Sequence, residues 1–185
     1  MLLCPYNPES RPEAQHDTYN WIMAHVGLGL GIRCRTVDDN TEYSEIMIDA
    51  FRQYKAFIVL EQDIVPSEEL LWSIVFCPEP ICVSNYQLYS TSTLINDNVY
   101  VNRNVTLSNA GRPLRLDWVD EDAEWCDFYG LGFTAFKDDG TLFKEILSEF
   151  KPCHYSHVDH LVSQATWHHN RKAHIHHEPI VHNHR

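Results

Sequence analysis

The run Ala56-Phe57-Ile58-Val59-Leu60 ends abruptly in Glu61-Gln62-Asp63. It has the length of a strand and no polar alternation, which suits a central strand of a parallel sheet, covered on both faces. In open α/β sheets ligands bind in the crevice beyond the carboxyl ends of the strands. Two carboxylates spaced i, i+2 just past such a strand can both turn into that crevice. Their hard oxygens suit Mg²⁺ or Mn²⁺, ions that also take substrate phosphate oxygens. The competing role is a turn whose acids cap the helix after Pro66.

The rest of the chain supplies elements to surround this strand. Met1 to Cys4 reads as a short first strand that stops at Pro5, followed by a loop from Tyr6 to Pro12. His16 to Val26 reads as a helix and Ile32 to Val37 as a strand. Thr41 to Tyr54 is the clearest helix, with Ile46, Met47, Ala50, Phe51 and Tyr54 at helical spacing and Thr41 as its cap. Ser67 caps a further helix opened by Glu68 and Glu69. Ile81 to Val83 and Phe128 to Phe136 read as strands, the latter carrying Gly130 and Gly132. Thr141 to Phe150 and Ser156 to Trp167 read as helices, and Ala173 to Val181 as a last strand. The alternation predicts a single α/β domain over 1–185, with a mostly parallel sheet flanked by helices. Residues 84–125, rich in Asn, Ser, Thr and Asp, are expected to form a long loop or hairpin excursion, with a reversal around Asn102. Within it Asp117, Asp120, Glu121, Asp122 and Glu124 read as a solvated acidic face.

Charge narrows the partners. Fourteen Lys and Arg against 26 Asp and Glu leave a net −12. That disfavours nonspecific nucleic-acid binding and docking on anionic lipid. A phosphorylated substrate would need a cation to mediate its contact with so acidic a chain. No apolar run approaches the ~20 residues of a membrane span. Met1-Leu2-Leu3-Cys4-Pro5 does not read as a secretory signal. The expected location is therefore cytoplasmic (the host cytoplasm if the chain is viral). The six cysteines contain no CxxC pair and read as buried thiols, with a Cys77–Cys82 disulfide left open.

Three further groups could carry chemistry. Ten of the twelve histidines lie from His154 onward. His174 and His176 share one face of an extended strand, as do His182 and His184. One of these could join Asp63 on a metal; together they could instead form a zinc or nickel site, or a solvated polar tail. Asp159, early in its helix, could bind an acceptor hydroxyl or act as general base, or simply complement the helix dipole. Pro5, Tyr6 and Asn7, with Arg11 in the same loop, could cradle a nucleotide, Tyr6 stacking on its base.

Leu3-Cys4-Pro5-Tyr6-Asn7-Pro8, Val59-Leu60-Glu61-Gln62-Asp63-Ile64-Val65-Pro66, Gly130-Leu131-Gly132-Phe133 and the closing His174-Ile175-His176 and Pro179-Ile180-Val181-His182-Asn183-His184 together resemble nucleotide-diphospho-sugar transferases of the GT-A fold. The likeness is greatest to the short glycosyltransferase-like proteins of phage and viral genomes. The resemblance implies a GT-A-like, Rossmann-like fold and transfer of a sugar, from a UDP-sugar by preference, with Mn²⁺ or Mg²⁺. It implies that Asp63 holds the metal, with His182 or His184 completing its shell. Glu61 would lie near the ribose or a metal-bound water, Gly130 and Gly132 would line the sugar or acceptor pocket, and Asp159 would face the acceptor. The motif here reads Glu-x-Asp in place of Asp-x-Asp. Two rivals remain at this level: a histidine-based metal-dependent hydrolase or nuclease, and a noncatalytic module that binds nucleotide or glycan.

Overall fold

The structure is a computed structural model. It describes residues 1–185 except 8, 10–11, 26–28, 30, 38–40, 96–97, 104, 107, 110–111, 114–122 and 183–185, and describes the backbone alone at 12–14, 87–95, 98–103, 106, 108–109, 112–113 and 182. Asp117 and Asp120 to Asp122 of the acidic run therefore lie outside the described residues.

The elements run β1 (Leu2–Tyr6), α1 (Pro12–His25), β2 (Ile32–Thr36), α2 (Glu42–Gln53), β3 (Ala56–Leu60), β4 (Ile64–Pro66), α3 (Glu68–Phe76) and β5 (Ile81–Ser84). There follow β6 (Gln87–Ile95), β7 (Asn98–Arg103), β8 (Val105–Thr106), β9 (Ser108–Asn109), β10 (Arg112–Pro113), β11 (Trp125–Cys126), β12 (Phe128–Tyr129) and β13 (Phe133–Lys137). The chain closes with α4 (Leu142–Glu149), α5 (Val158–His168), β14 (Ala173–His176) and β15 (Ile180–His182).

One seven-stranded sheet, ordered β11-β14-β5-β13-β3-β1-β2, organises these elements. β2, β1, β3, β5 and β14 run one way, and β13 and β11 run against them. The fold is the expected Rossmann-like α/β class, with a mostly parallel sheet flanked by helices. β3 is central and buried from Phe57 to Leu60, as its apolar run requires. It has one parallel neighbour, β1, and one antiparallel neighbour, β13, where parallel pairing on both sides was expected.

Strand alternation divides the core into two layers. Leu2, Cys4, Ile58, Leu60, Cys82, Phe133 and Ala135 face α1 and α3, meeting Ile22, Leu70, Leu71 and Ile74. Leu3, Phe57, Val59, Ile81, Val83 and Phe136 face α2, α4 and α5, meeting Met47, Phe51, Phe143, Ile146, Val158 and Val162. Phe51 is the hub of that second layer. Its ring meets Phe57, Phe136 and Phe143 edge-on, each at 5.1 Å between centroids, a geometry that adds to burial.

Several local expectations need correction. β1 runs through Pro5 and Tyr6. Leu2 and Tyr6 bond toward the β2 side, so Pro5 points its missing N–H toward β3, whose pairing with β1 covers only Leu2 and Leu3. The expected strand from Phe128 to Phe136 is broken at Gly130-Leu131-Gly132, and the one from Ala173 to Val181 is broken at His177–Pro179. In the 84–125 segment β6 and β7 pair with Ile95 opposite Asn98, so the reversal lies there and Asn102 is inside β7. Thr41 makes no side-chain cap bond, whereas Ser67 accepts one from Leu70 N–H at 3.1 Å. All six cysteines are free thiols, Cys77 and Cys82 included.

Phe51→Ala is expected to lower unfolding free energy by about 3–5 kcal/mol, because the three facing rings cannot collapse into the space. The measurement is a shift in urea midpoint at unchanged slope; a loss under about 1 kcal/mol would contradict the hub role.

Candidate functional site

β3 delivers its chain to the carboxyl edge of the sheet, and the antiparallel β13 leaves from the same edge. Glu61 N–H donates to Gly132 O at 2.8 Å, and Ile64 N–H donates back to Glu61 O at 3.2 Å. The first bond brings Gly130-Leu131-Gly132 against the Glu61-Gln62-Asp63 turn; the second closes the turn. Leu131 N–H donates to Asp159 Oδ2 at 3.3 Å, which ties in the first turn of α5. From α2, Tyr43 donates its hydroxyl to Glu61 Oε1 at 2.8 Å. Tyr86, just past β5, is buried and hydrogen-bonded to the backbone of Gly132. A Cβ at position 132 would stand 2.1 Å from the Tyr86 hydroxyl oxygen and 2.7 Å from Cζ. Glycine there makes room for Tyr86, a more specific role than lining a sugar pocket. Gly130 O accepts from Thr134 Oγ1 at 3.0 Å, which fixes the other end of the same turn.

Electrostatics make these groups one unit. Burial raises the Glu61 carboxyl well above its usual range, and Asp159 and then Asp63 raise it further, against the hydrogen bond from Tyr43. Burial also raises Asp159 to about 6, against the N–H groups of Leu131 and of Asp159 itself. The hydroxyls of Tyr43 and Tyr86 are pushed up by burial and then by Glu61 and Asp159. Glu61, Asp63 and Asp159 nevertheless each keep part of their surface accessible. They gather at the carboxyl edge of β3, where burial solvates charge poorly. Both charged groups acting on Glu61 are carboxylates. Their oxygens are the donor type that suits a hard divalent cation; among the described residues the group of three donors close enough to share one ion is Cys77, His174 and His176.

The first strand forms the adjoining wall. Asn7 N–H donates to Gln62 Oε1 at 2.6 Å, clamping the end of β1 to the turn after β3. A cavity of about 350 Å³ opens beside this clamp, lined by Tyr6, Gln62, Gln15, Thr18, Tyr19 and Cys34 among others. The Cys34 thiol is pulled down to about 7 by a hydrogen bond with Cys4, the residue opposite it on β1. Pro5 is buried in β1, and Arg11 lies outside the described residues.

The histidines divide. β15 pairs with β4 so that His182 stands opposite Ile64, the residue after Asp63. The side chain of His182, and His184 altogether, lie outside what is described. His174 and His176 turn instead beneath α3, where burial lowers His176 to about 4. Tyr43, Tyr86, Gln62 and Cys77 were missed from sequence. Tyr43 reads as helix core, Tyr86 sits in the hardest segment, and only Gln62 carried a signal, as the middle of the acidic motif.

No family profile and no curated protein sequence matches the chain significantly. Among solved structures it is similar to A197 from STIV, a viral protein, with TM-score 0.56 and 16% identity over 95% of this chain and 80% of that one. It also matches a glucose-1-phosphate thymidylyltransferase from Bacillus anthracis, with TM-score 0.47 and 10% identity over 96% and 67%. At these identities the first likeness concerns the fold alone, and the second is too weak to argue from.

The folded protein holds the Asp159 proton more tightly than the unfolded chain does. Its contribution to stability is therefore full below about pH 4 and is lost as pH rises through about 6. A carboxyl raised from 3.8 to about 6 corresponds to about 3 kcal/mol at neutral pH. Asp159→Asn keeps an oxygen for Leu131 N–H and removes the charge. It is expected to raise stability at pH 7 by about 1–2 kcal/mol, with little effect at pH 4. Denaturant midpoints at the two pH values check this; an equal effect at both would contradict the assignment.

Proposed function

We propose that the chain is a divalent-metal-dependent glycosyltransferase. It moves a sugar from a nucleotide-diphosphate donor, a UDP-sugar by preference, to a hydroxyl of a glycan, protein or small-molecule acceptor. The observation that carries this reading is the electrostatic coupling of Glu61 with Asp159 and Asp63 at the end of β3, with a cavity beside the end of β1.

Asp63 would hold Mn²⁺ or Mg²⁺, with His182 as a further ligand and His184 as the second candidate; the backbone of β15 ends beside Ile64, the residue after Asp63. When bound, the ion supplies positive charge at the leaving diphosphate. Glu61, oriented by Tyr43, sits one shell out toward the ribose or a bound water. Tyr6 and Asn7 form the nucleotide side, Tyr6 offering its ring to the base and Asn7 held in place by Gln62. The Gly130-Leu131-Gly132 turn holds Asp159 through Leu131 N–H and seats Tyr86 against the carboxylates. Asp159, raised to about 6, is mostly deprotonated at neutral pH and can take the acceptor's hydroxyl proton.

Calorimetry with UDP-sugars in Mn²⁺ tests the reading. Asp63→Ala is expected to weaken donor binding at least about tenfold, a difference of about 1.4 kcal/mol. Unchanged affinity in Asp63→Ala would overturn the metal assignment. Donor binding without turnover on any acceptor would favour a noncatalytic module instead.

A further inference from the structure

The buried group formed by Cys77, His174 and His176 lies away from the carboxylate crevice. Cys77 caps the C-terminus of α3. His174 and His176 stand on alternate positions of β14, on the face opposite Ala173 and Ile175, which pack in the other layer. β5 and β13 separate β14 from β3, so the two groups are about 14 Å apart across the sheet at the usual strand spacing.

One donor atom from each residue converges. Cys77 Sγ is 3.3 Å from His174 Nδ1, and His174 Nδ1 is 3.3 Å from His176 Nε2. All three atoms lie within 4.8 Å of one another. Nδ1 of His174 thus stands at the centre of the group, within reach of both other donors. Zinc bound tetrahedrally at ordinary Zn–N and Zn–S lengths sets its ligands about 3.4 Å (N to N) and about 3.6 Å (S to N) apart. Both observed separations are close to those edges.

The surroundings are those of a held ligand set. Ser73 Oγ lies 2.7 Å from His176 Nδ1, which fixes the ring so that Nε2 faces the group. Glu178 Oε2 is buried without a hydrogen-bond partner, 3.8 Å from the same Nδ1, a negative charge that a cation would balance. Lys137 Nζ donates to the carbonyls of Ile74 and Cys77, holding the end of α3 against the sheet. A second thiol, Cys82, is hydrogen-bonded to Cys77 and stands opposite His174.

We propose that Cys77, His174 and His176 form a zinc site that clips the C-terminus of α3 to β14. Sulfur and imidazole donors select a borderline-soft ion such as Zn²⁺ over the hard ions suited to the carboxylates. Three protein ligands leave one tetrahedral position for a further donor, and Cys77 and His176 are buried beneath the helix. The site stands independently of the proposed transferase activity.

The test uses the full chain, purified without a metal-affinity step. Elemental analysis is expected to give one zinc per chain, and Co²⁺ replacement to give a thiolate-to-cobalt charge-transfer band. Cys77→Ser is expected to abolish the band and His176→Ala to weaken zinc binding at least tenfold. His177→Ala, whose ring bonds Asn85 and Ala123 O instead, is expected to change neither. Absence of the band in the wild-type protein would overturn the site whether or not any variant folds. Zinc retained at full affinity in a folded Cys77→Ser protein, or lost in His177→Ala, would overturn it as well.

Discussion

Glu61 stands where a buried strand runs out, and the charges facing it are of its own sign. Burial, Asp159 and Asp63 all act to keep its proton on. The arrangement around it follows from that repulsion. Tyr43 offers Glu61 a hydroxyl proton, and backbone N–H groups offset part of the cost at Asp159. The net −12 of the chain sets a bound diphosphate in an overall field of its own sign, which is the ground for proposing a cation there.

The antiparallel β13 is what brings these groups together. A parallel strand in its place would enter the sheet from the opposite edge and carry Gly130-Leu131-Gly132 away from Glu61. Because β13 runs against β3, the turn that precedes it lies beside the turn that follows β3, joined by the bond from Glu61 N–H to Gly132 O. That turn also grips Asp159 and seats Tyr86. The layer that supplies Tyr43 and Asp159 is packed around Phe51 and the three rings that meet it.

Much of this was legible in the sequence for physical reasons. The run from Phe57 to Leu60 admits little but a strand buried on both faces, and Ser67-Glu68-Glu69 admits little but a helix start. The i, i+2 acids after the run marked where β3 ends. What failed were features set by long-range pairing. Pro5 breaks strands in general, yet the ladder toward β3 has ended where its N–H would be needed. Glycines at 130 and 132 read as part of one strand, and only the position of Tyr86 shows why residue 132 has no side chain. The histidine excess was visible, but its division was not. That division depends on β14 packing under α3 while β15 pairs with β4, and on a cysteine that carries no motif.

The central claim is that mutual repulsion in the carboxylate crevice is relieved by a hard divalent cation. Thermal unfolding of the wild type and of Glu61→Gln, each in metal-free buffer and after addition of Mg²⁺, tests it most directly. Mg²⁺ is a poor match for the sulfur and imidazole group beneath α3, so it reports on the carboxylates. The account predicts that Glu61→Gln unfolds at higher temperature than the wild type in metal-free buffer. It also predicts that Mg²⁺ raises the wild-type midpoint by more than that of the variant. A variant less stable than the wild type in metal-free buffer, with equal responses to Mg²⁺, would contradict it.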